Sequence, residues 1–272
     1  MLRPIVRTCL LLTLPALGCQ KPPAETTPPA DASATVDPGA ETTDDAGPEQ
    51  PLPPAEEILA KSVEAMGGAA AIEAIESSYT EIDAEIKAQG IKVLTLAWTR
   101  GDDFYSEADL AGMGKQQQWK KGDDIWSKDP VFGFRKLEGQ EAAQAQWIAE
   151  GPMLGATWRE HFDRAETTGR NQTDQGTLLE VTLTSADGQT VVLEFDAESY
   201  LPVGMAFDQL SPMGATPLHT TQSDFREVAG VLFPYRSVTE VQMTTMEATT
   251  RKFEVNVDIP DEKFEPPAEA KK

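Results

Sequence analysis

Cysteine is almost absent from this chain: Cys9 and Cys19 are its two cysteines, and residues 20–272 contain none. A disulfide or a cysteine nucleophile within residues 20–272 is therefore excluded. No apolar run after residue 19 reaches the roughly 18 residues that a membrane-spanning helix requires. Histidine is also scarce, and His161 and His219 do not have the H-x-H or H-E-x-x-H spacing of a metal site. We therefore expect neither a metal nor a cofactor.

Basic residues are the minority charge, with 23 Lys and Arg against 45 Asp and Glu and a net charge of −22 at pH 7. This excess repels nucleic acid and anionic lipid surfaces, so we expect no nucleic-acid partner. The sequence also has no G-x-S-x-G motif, phosphate loop or dinucleotide fingerprint. We predict that the protein is not an enzyme. A hydrolase built on a hidden pair of carboxylates is the alternative ranked last.

The first 19 residues have the pattern of an export signal. Arg3 and Arg7 give it a positive start, residues Ile5–Leu17 form the apolar run, and small residues stand directly before Cys19. The ending Ala-Leu-Gly-Cys resembles a bacterial lipoprotein signal, which implies that residues 1–19 are a signal peptide ending at a lipidated Cys19. An ordinary secretory signal is the alternative. In the lipoprotein reading, Gln20 favours attachment to the outer membrane, with the inner membrane as the alternative, and the protein faces the periplasm.

Composition divides the rest of the chain into three parts. Residues 20–54 are rich in Pro, Ala, Thr and acidic residues and have no aromatic residue, which predicts a disordered tether. All Trp, Tyr and Phe residues follow, and their distribution predicts one globular domain over residues 55–267. Residues 268–272 are predicted to be a flexible tail.

Helical periodicity marks three segments. Ile58, Leu59, Val63 and Met66 share one face of a predicted helix that ends at Gly67-Gly68, and a shorter helical piece follows over residues 69–76. Residues 138–150 predict another helix, with Ala143, Trp147 and Ile148 directed inward. Residues 152–162 are ambiguous, because apolar residues spaced by four are interrupted by Gly and Pro.

Most of the domain has the period of two that is typical of strands with two unlike faces. The similar stretches at 101–106 and 122–127 each predict a hairpin turn followed by an aromatic strand; their paired Asp residues lack the spacing of a calcium loop. We count ten to eleven strands. The other predicted strands are 82–88, 93–98, 178–184, 190–195, 203–207, 220–226, 231–239 and 243–257. The predicted fold class is mainly β (α+β), with a large, curved antiparallel sheet.

Short stretches along the domain carry a family resemblance. They are Glu57–Ser77, Gly122–Ser127 with Leu137–Gly139, Asp196–Pro202, Gly230–Arg236 and Val255–Phe264. Together they resemble the LolA-like lipoprotein-sorting carriers and their LppX-like relatives. The resemblance implies an unclosed antiparallel β-barrel with a few helices across its mouth as a lid, and a hydrophobic cavity for acyl chains.

Apolar residues of the predicted sheet are the candidates for lining that cavity. They are Leu94, Leu96, Trp98, Phe104, Trp119, Ile125, Trp126, Phe132, Phe134, Leu179, Val181 and Leu183. Candidates for adaptable positions in the cavity or lid are Met205, Met213, Met243 and Met246, with ordinary packing as their alternative. The alternative is that these residues fill an ordinary core.

Two hypotheses for function follow. In the first, a lipid-anchored envelope protein binds the acyl chains of a lipid or acylated lipoprotein in the cavity, for transport or sorting. In the second, the barrel core is filled, and the protein is a non-catalytic sensory or structural module that contacts an envelope protein partner.

Overall fold

The computed structural model describes residues 51–268. The predicted signal peptide with Cys19, most of the predicted tether and residues 269–272 of the predicted tail lie outside the described residues. Within 51–268, none of the helices combines the length and apolar character that crossing a membrane demands.

A single antiparallel sheet of thirteen strands dominates the described residues. The strands are β1 (Ser77–Ile86), β2 (Ile91–Arg100), β3 (Asp103–Leu110), β4 (Gly114–Lys121), β5 (Asp124–Asp129), β6 (Gly133–Lys136), β7 (Arg164–Thr173), β8 (Gly176–Thr184), β9 (Thr190–Asp196), β10 (Pro202–Ser211), β11 (Gly214–Val228), β12 (Val231–Val241) and β13 (Thr244–Val255). Their order in the sheet is β6-β5-β4-β3-β2-β1-β13-β12-β11-β10-β9-β8-β7. The first and last strands therefore pair near the middle, and β6 and β7 are the two edges. The predicted mainly β, antiparallel and unclosed fold is confirmed.

The strand count exceeds the predicted ten to eleven because three strands escaped the search for apolar alternation. Strand β4 begins Gly-Lys-Gln-Gln-Gln, β6 has four residues, and β7 is a polar strand at the sheet edge. Edge strands need no apolar residues on a face that remains exposed to solvent. The two predicted hairpin turns are confirmed, since Arg100 pairs with Asp103 and Lys121 pairs with Asp124.

The helices are short and lie outside the sheet order. They are α1 (Ala55–Ala65), α2 (Ala69–Glu73), α3 (Gly139–Ala149) and α4 (Leu154–Thr157), with 3₁₀ turns at Gly151–Met153, Trp158–Glu160 and Asp261–Phe264. The ambiguous residues 152–162 thus form successive short helical turns. Each turn directs an apolar residue inward, and Leu154, Trp158 and Phe162 are all buried.

The predicted phase of α3 was partly wrong. Trp147 and Ile148 are buried as expected, but Ala143 is exposed and the next residue, Gln144, is buried. The Gln144 amide is paired with the backbone of β10: its Nε2 donates to the Asp208 carbonyl at 2.8 Å, and its Oε1 accepts from the Leu210 N–H at 2.7 Å. Both hydrogen bonds compensate for burying the amide.

The register assigns each strand residue to one of two faces. Directly paired residues share a face of the sheet. Following the pairs from strand to strand places Ala97, Phe104 and Leu183 on the same face. These residues join one apolar cluster with the helices. We call this side of the sheet the inner face and the opposite side the outer face.

Candidate functional site

The helical segment 139–160 lies in the chain between the two edges of the sheet. It begins after β6 and ends before β7, so it connects the two strands that leave the barrel unclosed. Its apolar residues cover the inner face. We call the combined apolar group the lid cluster. From the sheet it contains Ala97, Phe104, Ile125, Leu179, Val181, Leu183, Val191, Leu193, Phe195, Phe207 and Leu218. From the helical parts it contains Ile58, Leu59, Trp147, Ile148, Leu154 and Trp158, and Phe162 joins it just after the last helical turn.

Trp147 is the central aromatic residue of this lid. Its ring meets Phe207 of β10 edge-on with centroids 4.9 Å apart, and it lies 5.7 Å from the Phe162 ring. Only 2% of the residue is exposed. Helix α3 is thus attached to the sheet by an aromatic contact and by the two hydrogen bonds of Gln144.

The structure brings five of the twelve predicted cavity residues together on the inner face. They are Phe104, Ile125, Leu179, Val181 and Leu183, and all belong to the lid cluster. Each is at most 2% exposed. These five therefore have the position that an acyl-binding wall requires, beneath the helical segment. Whether they contact a ligand stays a prediction.

Six of the twelve lie on the outer face instead, which corrects the prediction that they face inward. They are Leu94, Leu96, Trp98, Trp119, Trp126 and Phe134. On β2, Val93, Thr95 and Ala97 occupy the inner positions, so the alternation sends the larger side chains outward. Phe132 lies in the turn between β5 and β6, where the Arg135 guanidinium is 5.7 Å from its ring.

The outward aromatic residues form a ladder across β1–β4 and β6. Neighbouring rings are 5.1 Å apart from Tyr79 to Trp98, 5.5 Å from Trp98 to Tyr105 and 5.2 Å from Tyr105 to Trp119. The C-terminal residues Ile259 and Phe264 join this cluster. These outer-face side chains stabilise the docking of the C-terminal segment, a role that sequence alternation alone does not reveal.

Lys263 of the C-terminal segment strengthens this docking. Its ammonium lies 3.4 Å from the centre of the Trp98 ring, in a cation–π contact. Burial lowers the pKa of Lys263 because desolvation penalises the charged form. The cation that contacts the aromatic ladder thus belongs to the C-terminal segment of the same chain.

A different set of inner-face residues is polar, and it was not predicted. We call it the polar inner band; it crosses β1–β5 and β11–β12 on the same face as the lid cluster. Its members are Ser78, Thr80, Thr95, Thr99, Ser106, Gln118, Ser127, Thr220, Gln222, Ser237 and Thr239. Apart from Gln118, each of these residues is at most 7% exposed.

Some members of the polar inner band satisfy one another. The Ser78 and Thr99 hydroxyls are 2.7 Å apart, and those of Thr220 and Thr239 are 3.0 Å apart. Thr95 Oγ1, Gln118 Oε1 and Gln222 Oε1 are buried without a hydrogen-bond partner among residues 51–268. Each unpartnered buried polar atom costs about 1–3 kcal/mol. If this face served only as a core, apolar residues at these positions would therefore give a more stable fold.

Two cations lie on the inner face near the β6 edge, and both are engaged. Lys120, 4% exposed, donates from Nζ to the Asp102 carbonyl at 2.9 Å. Arg135 forms a two-armed ion pair with Glu141 of α3, one arm at 2.6 Å, and this carboxylate raises the pKa of Arg135. Arg135 Nε is a further buried atom for which the described residues supply no partner. The polar inner band is therefore made of uncharged groups, with a spare N–H at its edge.

Met205 marks a place where solvent reaches the inner face. It pairs with Leu193 of β9 and Thr220 of β11, both buried, yet Met205 itself is only partly buried. Its side chain thus lies between an apolar and a polar inner-face residue. A ligand with apolar and polar parts would meet both kinds of surface here.

Both histidines are bonded to glutamates. His161 Nε2 lies 3.1 Å from Oε1 of the fully buried Glu150, and Glu160 brings a third ligand-type atom, all within 4.8 Å of one another. Sequence spacing did not suggest this cluster, because Glu150 is separated from His161 by three short helical turns after α3. The adjacency of Glu160 and His161 was the one local signal.

His219 lies on the outer face, and we predict that its hydrogen bond to Glu194 stabilises the fold in a pH-dependent way. Its Nε2 is 3.0 Å from Glu194 Oε2, and this hydrogen bond raises the pKa of His219. The contribution is fully present below the ordinary pKa of about 6.5 and is lost as pH rises through the raised pKa. We expect His219→Gln to destabilise the protein more at about pH 6 than at pH 9 in urea unfolding. Glu194→Gln should reproduce this pattern; an equal loss at both pH values would contradict it.

Comparison with known proteins extends this description. No protein-family model matches the sequence, and no curated protein matches it. Among solved structures, a DUF1329 family protein from Desulfovibrio piger has a TM-score of 0.53 at 13% identity, covering 78% of this chain and 97% of its own. A LolA superfamily protein from Nitrosomonas europaea has a TM-score of 0.51 at 17% identity, covering 79% and 99%.

A third solved structure, described as an outer membrane lipoprotein-sorting protein domain, comes from Vibrio parahaemolyticus. It has a TM-score of 0.51 at 14% identity and covers 77% of this chain and 97% of its own. Identities this low establish a likeness of fold. The resemblance to LolA-like proteins expected from the sequence is confirmed at that level.

Proposed function

We propose that this chain, which has a LolA-like fold, binds the acyl chains of a lipid or lipoprotein between its inner face and the helical segment 139–160. The observation that carries the proposal is that this segment connects the two unpaired edges of the sheet and covers its apolar inner face. A lid attached in this way allows the space between edges β6 and β7 to admit a chain without breaking strand pairing. The likeness to a lipoprotein-sorting domain supports this reading.

The proposed action is binding and release without covalent chemistry. The two histidines are each bonded to a glutamate, and the inner face offers hydroxyl and amide groups beside apolar ones. We further propose that Cys19 is lipidated and that the protein is held in the periplasm, at the outer membrane, through that anchor. Transport or sorting of the bound lipid follows from such a placement.

One observation favours the second hypothesis, a filled core in a module that contacts an envelope protein. Val181, Leu183, Val191 and Phe195 have no exposed surface. Side chains of the helical segment therefore already fill the space above β8 and β9. Under our proposal, an acyl chain must displace part of this segment; under the alternative, the segment stays in place.

Lipid content separates the two hypotheses. The chain from Gln20 onward, which contains every described residue, would be purified without detergent from a bacterial host and examined by native mass spectrometry and organic extraction. We expect co-purifying acylated species and uptake of a fluorescent fatty acid. Met205→Glu should weaken uptake about tenfold, since a carboxylate at this inner-face position opposes burial of an acyl chain.

Thr221→Glu is the matched control for this experiment. Thr221 is exposed on the outer face of β11, beside the inner-face partner of Met205, and receives the same charge. It should bind the fatty acid as wild type does. A wild-type protein that carries no lipid and takes up no fatty acid contradicts the proposal and supports the filled-core module.

A further inference from the structure

The polar inner band is more than an acyl-binding wall needs. Acyl chains offer no hydrogen bond, yet the inner face buries Thr95 Oγ1, Gln118 Oε1 and Gln222 Oε1 without a partner. Thr95 and Gln222 are 1% and 7% exposed. Buried polar groups in proteins are nearly always paired, so several unpaired groups on one face indicate that something else pairs with them.

Local structure does not account for these side chains. Thr95 lies between Val93 and Ala97 on the inner face of β2. A valine at this position has nearly the same shape and would continue the apolar face. Gln222 stands between Thr220 and the turn end of β11, opposite Ser237 of β12. Within the described part of the chain, its amide oxygen has no backbone or side-chain donor. By contrast, the buried Gln144 uses its amide to hold α3 on β10.

We infer that the polar inner band is a subsite for an uncharged, hydroxyl-rich head group of the glycerol or sugar class, attached to the acyl chain that the lid cluster covers. This inference rests on the proposed lipid-binding function and specifies the chemical class of the ligand. Because a hydroxyl both donates and accepts, the hydroxyls of such a head group can pair with an amide oxygen, as of Gln118 or Gln222, and with an N–H, as of Arg135 Nε.

Charge disfavours a phosphate head group. A phosphate only accepts hydrogen bonds at its ionised oxygens, and two of the three unpartnered atoms of the band are the amide oxygens of Gln118 and Gln222, which also only accept. The nearby cations are engaged, Lys120 with the Asp102 carbonyl and Arg135 with Glu141. The chain also carries a net charge of −22, which repels an anion.

The position of the band fits a head group next to an acyl chain. Thr95 and Gln118 stand on β2 and β4, roughly 12 Å apart, because two strand spacings and an offset of two residues separate them. Phe104 and Ile125 of the lid cluster lie on the same face of β3 and β5. On the other side of the central β1–β13 pair, Met205 of β10 is flanked by Leu193 of β9 and Thr220 of β11. Polar and apolar surfaces of the inner face therefore adjoin on both sides of the β1–β13 pair.

Two probes with the same acyl chain test the subsite. Monopalmitoylglycerol has two hydroxyl groups and methyl palmitate has none; each would compete against a fluorescent fatty acid on the chain from Gln20 onward. We expect wild type to bind monopalmitoylglycerol about tenfold more tightly. Thr95→Val and Gln222→Leu together should abolish this preference and leave the affinity for methyl palmitate within about twofold of wild type.

Thr221→Val is the matched control, because it removes an exposed hydroxyl from the outer face of the strand that carries Gln222. It should preserve the preference. Thr95→Val alone keeps the shape of the side chain, and we expect the midpoint of thermal unfolding without lipid to be unchanged or raised. A lowered midpoint would mean that the hydroxyl is already paired, by ordered water for example, and would overturn the inference.

The remaining outcomes separate the subsite from the proposed function. If wild type binds both probes equally, or if the double variant retains the preference, lipid binding stands and the polar subsite is rejected. If wild type binds neither probe, both the proposed function and the subsite are rejected.

Discussion

Replacing Trp147 with alanine is expected to lower the free energy of unfolding by about 3–5 kcal/mol, as is usual for a large buried aromatic side chain. Trp147 is 2% exposed and contacts Phe207 of β10 and Phe162 after the helical segment. Its removal leaves a cavity between α3 and the sheet, which neighbouring side chains fill incompletely. Urea unfolding followed by circular dichroism measures the change.

Trp126→Ala is the matched control for this substitution. Trp126 is a partly buried tryptophan on the outer face of β5, away from the lid cluster. We expect it to cost clearly less than Trp147→Ala. Equal losses would mean that α3 contributes no more to stability than the outer face does, and would contradict the central place of Trp147 in the lid.

Changing Gly67 to alanine is the second substitution for which we expect a large loss, about 3–4 kcal/mol. Gly67 ends α1 with φ +122°, and an added Cβ would lie 2.0 Å from the Gly230 carbonyl oxygen. Both sides of this contact are backbone. The Leu232 N–H also donates to the Met66 carbonyl at 2.8 Å, so α1 and β12 would have to separate to relieve the clash.

Gly90→Ala isolates the conformational part of this effect. Gly90 also has positive φ, +63°, but an added Cβ there meets nothing within 4 Å. We expect it to cost about 1–2 kcal/mol, the usual penalty for a left-handed residue with a side chain. If Gly67→Ala proved no more destabilising than Gly90→Ala, the close approach of α1 to the β11–β12 turn would not constrain the fold.

Apolar periodicity was sufficient to predict most strands and α1. Ile58 and Leu59 are buried as the helical period requires, and the 190–195 prediction matches β9, Thr190–Asp196, to within one residue. The same reasoning missed β4, β6 and β7, because strands of polar residues leave no apolar alternation to detect. It also placed Ala143 inward, since nothing local indicates that the amide of Gln144 finds partners on β10.

The sequence predicted an apolar inner face covered by helices, but it identified only some of the residues that line this face. Alternation correctly separates Trp98 from Ala97, but it does not say which of the two sides the helices cover. Large aromatic residues suggested the inner side, whereas the inner positions of β2 hold Val93, Thr95 and Ala97. Space explains this: the inner side of a curved sheet is the more crowded one, and the outer aromatic residues are covered by the C-terminal segment.

The sequence by itself determined the class of fold, the antiparallel strands and the acidic surface, because these depend on composition and on local period. Tertiary structure alone decided which face is inner, how the segment 139–160 connects the two sheet edges, and that Thr95 and Gln222 lie on one buried face. Those features depend on pairing between residues far apart in the chain. A period of two assigns a residue to one of two faces, and only packing of the whole sheet against the helices chooses between them.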